Sequence, residues 1–351
     1  MNVGIIRQAG LSLVEMMVAM LLGLILIAGI GHLFLSANRT YLLQDELSRI
    51  QENARFAIDL IARDVRMAGS TGCPFSSELA NAVFTSTDNR TWMAHFDKGI
   101  LGIPLANNSR VDSDAISESI VIHRVDQENS LSVTSHNTGT ARMTLSAPHD
   151  FNQGDLLAAV RSDCQGVSVF KAGANTTGST VSHESGTSGT LYNCTSQLGG
   201  TYNCLTSAAD AKGENHTGSQ ILPLSSVVYY LRESNGVPNL YRRLAGETTS
   251  GAINSAEALL EGVEGLNLRY GYDSDADGIA NQYRTAADIS LFSLDWRNVT
   301  SVRMEILVRS FQEVTDTPQS YFFAGTRVTP TDNYLRRSFV ITMELRNRIP
   351  Q

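Results

Sequence analysis

From Leu11 to Leu35 the chain is apolar almost without interruption, and Glu15 is the one formal charge in those 25 residues. At about 1.5 Å of rise per residue such a helix covers about 37 Å, enough to cross a bilayer with some tilt. The apolar core of a secretory signal peptide is shorter, about 7–15 residues, so this stretch is too long to be one. Past Leu35 the pattern changes but does not break. Leu43, Leu47, Ile50, Ala54, Ala57, Ile61, Val65 and Ala68 recur every three or four positions, with no Pro or Gly before Gly69. That spacing puts them on one helical face. Asp45 with Arg49, and Asp59 with Arg63, add i,i+4 pairs worth about 0.3–0.5 kcal/mol each. The pattern predicts one helix from about Leu11 to Ala68, roughly 87 Å long. Its first half has no soluble partner, and its second half has a face for a globular body.

Beyond Gly69 the periodicity shortens toward two, and turn residues punctuate it. Candidate strands are 119–125, 141–147, 166–172, 265–273, 299–310 and 337–347, with a hairpin over 226–246 that turns at "SNG". The Gly, Ser and Thr of 172–190 predict a solvated loop, and "SAEALLEGVEG" (255–265) predicts a short helix. The class is therefore α+β, a long N-terminal helix packed on a largely antiparallel β body. It divides into 1–10, an apolar helix half 11–35, an amphipathic half 36–68, and a β-rich domain 69–351 with a potential split into two lobes near 215.

Composition changes this picture in two places. A formal net charge of −8, with three Lys and 24 Arg scattered along 351 residues, argues against a nucleic-acid-binding face. Cys73, Cys164, Cys194 and Cys204 lack C-x-x-C spacing and neighbouring His pairs, which argues against zinc. An even number behind an export segment points to two disulfides in an oxidising compartment. Three connectivities exist; the short gap makes Cys194–Cys204 the natural local bridge and leaves Cys73 with Cys164.

Candidate chemistry is sparse. In "DSDADGIANQYR" (273–284), Asp273, Asp275 and Asp277 alternate before Gly278, and the Ile279 carbonyl adds an oxygen. A hard cation such as Ca²⁺ takes such a set, although Arg284 stands where an EF-hand has its bidentate Glu. Asp288 would replace that Glu only in a different loop geometry. The seven His are scattered, and no hydrolase, metalloprotease or P-loop motif occurs. Catalysis is not expected. Trp92 and Trp296 are expected in the core or at an interface.

Glu15 remains to be explained. A lone carboxylate in a membrane helix costs about 2.5–3.5 kcal/mol on insertion scales and calls for a partner. No Lys or Arg lies between Leu11 and Leu35, but "RQAG" ends at Gly10, directly before the apolar run. Cleavage there would keep the helix and create an α-amino group on Leu11, mostly cationic at neutral pH because its pKa is about 8. Glu15 follows at i+4 and could pair with that amine in its own chain or in a neighbour. The intermolecular pair would set the axial register between packed helices.

The leader ending in Gly10, the "LSLVE" after it and the long apolar helix resemble the class III signal of type IV prepilins, with Leu11 where that family usually has Phe. "FAIDLIARDVRMAGSTGC" (56–73), the Tyr-rich hairpin ending "LYRR" (240–243) and the strand ending "LRNR" (345–348) resemble the PilW family of minor pilins. The resemblance implies a pilin-like α+β fold, cleavage between Gly10 and Leu11 by a prepilin peptidase, and methylation of Leu11. It also implies an inner-membrane anchor with a periplasmic domain that is later assembled into a pilus with other minor pilins and the major pilin. A pseudopilin of a type II secretion system shares the N-terminal chemistry. An adhesive tip protein using the 172–190 loop or the Asp loop is a rival of a different kind.

Overall fold

A computed structural model describes residues 12–73, 78–85, 88–126, 129–186, 190–245 and 254–348. The predicted cleavage pair Gly10–Leu11 lies outside them.

One helix, Leu13–Arg66, runs 54 residues without a break. It passes straight through Ser36–Thr40, where the Thr40 hydroxyl donates to the Ser36 carbonyl one turn back at 2.9 Å. Its first half is exposed to Leu35, as the all-apolar pattern demands. Its second half buries Ile50, Ala54, Ala57, Ile61 and Val65, continuing the predicted stripe. Leu47 is only partly covered, and Leu43 is still 37% exposed, so the body takes hold about one turn later than predicted. Ala54 and Ala57 let the helix backbone approach the sheet closely. The Asp45–Arg49 pair forms at 3.1 Å, whereas Asp59 pairs with Arg55 at 3.7 Å and not with Arg63. These pairs are exposed, so the choice of partner has little energetic weight. After Arg66, Gly69 adopts φ +71° and donates its N–H to the His123 carbonyl at 2.8 Å, which ends the helix and ties its exit to the body.

The body is mostly antiparallel β and is organised by the 15-residue strand Gln220–Ser234. Its first residues pair with Leu156–Val160 and Leu131–Asn137. Its later residues pair with Ser119–Val125 and Val237–Leu244. The strand thus feeds two cores. Ile221 joins Leu157, Phe170, Val181 and Tyr202 in one; Val227 to Leu231 join the helix in the other. Two parallel pairings, Glu78–Asn81 with Gly166–Lys171 and with Tyr202–Asn203, extend the first lobe. Turn chemistry sets the register of the long hairpin: Asn235 and Gly236 have φ of 53° and 77°, the positive values that a two-residue hairpin turn requires.

A second sheet, ordered Gln282–Arg284, Val263–Tyr272, Val299–Glu313, Tyr334–Glu344, presents Val302, Met304, Ile306 and Val308 to the core shared with the helix. Here the short helix predicted over 255–265 is corrected. Glu257–Glu261 is an edge strand along Val237–Leu244, and Gly262 at φ +81° turns the chain into Val263–Tyr272. Five residues of good helix propensity are too few to outweigh a ladder of backbone bonds. The loop expected over 172–190 also contains a strand, Thr180–Ser182 on Arg142–Leu145, with Val181 fully buried. The disulfides join Cys73 to Cys164 and Cys194 to Cys204. Trp92 and Trp296 are buried.

Candidate functional site

At the head of the helix Ser12 is the N-cap. Its hydroxyl accepts from the Glu15 N–H at 3.2 Å, and the Glu15 carboxylate accepts from the Ser12 N–H at 3.0 Å. This reciprocal capping box satisfies two backbone donors that the first turn would otherwise leave unpaired. A carboxylate has about four lone-pair sites, so these bonds do not exhaust Glu15. The exposed apolar face runs on from Leu13 through Leu35. A Cβ placed on Gly23, Gly29 or Gly31 would meet nothing within 4 Å, so no contact among the described residues accounts for those glycines.

The other half of the helix is held by buried carboxylates that hydrophobic patterning did not reveal. Glu46, 5% exposed, accepts the Phe311 N–H at 2.8 Å, where the strand Val299–Glu313 slips register after Arg309. Near the other end Asp64, also buried, accepts from the Tyr229 hydroxyl at 2.6 Å and from Arg124 Nε at 3.2 Å. Burial and the Asp64 carboxylate push the Tyr229 phenol up, so it stays a neutral donor. Tyr230 points to the opposite face of the same strand and donates to Asp112 at 2.6 Å, which also takes Arg243 at 3.0 Å. Although burial opposes it, the bonds from Tyr230 and the Asp114 backbone, with Arg243 and Arg232 nearby, hold the Asp112 carboxyl below its usual range. In the C-terminal sheet Arg336 bridges Glu264 at 2.5 Å and Asp332 at 2.6 Å. The Asn347 amide donates to the Ala68 carbonyl at 3.3 Å.

The bonds of Glu46, Asp64 and the Ala68 carbonyl fasten a membrane-length helix to the body, and Tyr229, Phe311 and Asn347 supply most of their partners. Residues 228–347 match the family model of type IV pilus-assembly protein W, PilW, and residues 5–31 match the prokaryotic N-terminal methylation motif. Over those two stretches the chain is similar to the PilW family and to prepilin-type N-termini. A comparison with curated proteins gave no match. The PilW match begins one residue before Tyr229 and ends at Asn347, so it takes in Tyr229, Phe311 and Asn347, while Arg124 and His123, which also hold the end of the helix, precede it. The two matches thus fall on the head of the helix and on much of its mounting.

Two polar clusters lie away from that mounting. In the acidic loop the carboxylates of Asp273, Asp275 and Asp277 come within 4.8 Å of one another. However, Asp273 Oδ1 accepts from the Asp275 and Ala276 N–H groups, and Oδ2 from that of Gly278 at 2.8 Å. Although desolvation opposes it, these backbone donors hold the Asp273 carboxyl low. The loop is therefore closed around Asp273 by its own N–H groups, which orient toward an anion. Ile279 donates its N–H to Asp277 at 2.8 Å. Asp288 is committed elsewhere, closing a capping box with Thr285 on the helix Ala286–Leu291. Among the described residues the three carboxylates expected to take Ca²⁺ thus converge, with Asp273 also accepting backbone N–H groups and Asp288 outside the set.

The second cluster went unseen in the sequence because its members lie far apart along it. His136, His183 and His216 converge in the first lobe. The His216 N–H donates to His136 Nδ1 at 3.0 Å, so the neutral His136 proton sits on Nε2 and is shared with His183 Nε2 at 2.9 Å. Burial, with His216 beside it, pulls His136 down to about 4; burial, with His136 and His216, pulls His183 down to about 3. No residue pattern announces this trio, which depends wholly on strand pairing.

Proposed function

We propose that this chain is a structural minor pilin of the PilW family that enters the tip or priming complex of a type IV pilus. One observation carries the proposal: a single rigid helix has an apolar, uncovered first half and a second half bolted to a β body through Glu46, Asp64 and the alanine stripe. Such an element serves two hosts in turn, the bilayer before assembly and neighbouring helices afterwards. Water suits neither use. Gly23, Gly29 and Gly31 would allow close approach of those neighbours.

In this proposal a prepilin peptidase removes residues 1–10, and Leu11 becomes a methylated N-terminus. The capped Glu15 then receives the new cation of an adjacent subunit, fixing the axial stagger. The body lies in the periplasm, with residues 11–35 in the inner membrane and 36–68 joining the two. Its partners are other minor pilins and the major pilin. Mass spectrometry of membrane-extracted protein is expected to find Leu11 as the first residue. An intact Met1 would overturn the processing step, and a Glu15→Gln variant that assembles pili at normal abundance would overturn the register role.

A further inference from the structure

Beside the helix neck an open groove of about 920 Å³ is lined by His32, Leu35, Arg39 and Leu43 on one wall and by Glu313 and Asp316 on the other. Its depth follows from helix geometry. Leu13–Leu35 rises about 35 Å, matching a hydrocarbon core of about 30 Å within a bilayer of about 40–45 Å including headgroups. Residues 36–43 rise about 12 Å further. The wall carrying Glu313 and Asp316 therefore stands at headgroup level, beside the last apolar turn.

The charges there are of both signs. Arg39 meets Asp316 at 3.2 Å, with the two side chains 70% and 80% exposed, a pair loose enough to open for a ligand. Glu313 is also exposed on the same wall. An anionic headgroup would find Arg39 but would face two carboxylates. A zwitterionic one with a primary ammonium finds both: phosphate on Arg39, and a hydrogen-bonding ammonium on Asp316 and Glu313. Leu35, 60% exposed, continues the acyl-chain surface below.

We infer that this groove binds the headgroup of an ethanolamine phospholipid and so fixes the tilt of the body on the bilayer before assembly. The inference rests on the membrane-spanning reading of the helix. It is tested with the full chain in nanodiscs of equal phosphatidylethanolamine, phosphatidylcholine and phosphatidylglycerol, counting retained lipid by native mass spectrometry. Ethanolamine lipid is expected to be retained over choline lipid by about fivefold, the scale of one exposed ion pair. Glu313→Gln with Asp316→Asn should equalise the two, and Arg39→Gln should lower both. Equal retention by the unmodified chain, preferential retention of the glycerol lipid, or a preference that survives the double substitution overturns the proposal. A chain that fails to enter nanodiscs refutes the membrane reading itself, and the groove assignment falls with it.

Discussion

The bond between Tyr229 and Asp64 joins the hub strand to the helix, and its removal has a calculable consequence. Tyr229→Phe keeps the ring, so no cavity opens at a site with 0% exposure. It deletes the 2.6 Å donor to Asp64 and leaves a buried carboxylate with Arg124 at 3.2 Å as its remaining side-chain donor. A hydrogen bond to a charged group contributes about 1.5–3 kcal/mol, so the expected loss is about 2 kcal/mol. For a body of this size that corresponds to a fall of about 4–8 °C in Tm. Tyr230→Phe is the internal comparison. It deletes a bond of equal length, to Asp112, without touching the helix. Both variants should melt early, but only Tyr229→Phe should increase amide exchange across helix residues 50–66. The assay is thermal unfolding and hydrogen exchange of the full chain in detergent. A Tyr229→Phe melting temperature within 1 °C of the unmodified chain would refute the assigned role of Asp64. Equal exchange in the two variants would show that the bond does not hold the helix.

Three other outcomes follow from the described geometry. The histidine trio should make stability fall as pH drops from about 6.5 toward 4. The unfolded histidines gain protons near pH 6.5, while folded His136 and His183 resist until about 4 and about 3. A His183→Phe variant should flatten that slope in pH-dependent urea unfolding, and an unchanged slope would assign it to carboxylates. Loop closure predicts that losing Cys73–Cys164, separated by 91 residues, costs about 4.6 kcal/mol, against about 2.7 kcal/mol for Cys194–Cys204, separated by 10. Paired Cys→Ser variants measured by urea unfolding should rank in that order. Millimolar Ca²⁺ should leave Tm unmoved, because three carboxylates fall short of the 6–8 oxygens that Ca²⁺ takes; a calorimetric binding heat lost in Asp275→Asn would instead make the loop a cation site.

The first 68 residues carried most of their meaning in one dimension. A helix satisfies its backbone within itself, so its extent, its apolar half and its buried stripe follow from spacing of three and four along the chain. The "SNG" turn was legible for a similar reason, since Asn235 and Gly236 tolerate positive φ locally. Tertiary structure decided what lies between distant segments. Glu46 and Asp64 look like ordinary polar positions of an amphipathic helix until Phe311 and Tyr229 arrive opposite them. The segment 255–265 has helical residues but becomes a strand because an unpaired edge is waiting for it. The histidines at 136, 183 and 216 meet only when three strands of the first lobe pair. Local periodicity encodes what a segment can bury; which partner it buries against is set by chain topology, and burial of a charge is bearable only once that partner is in place.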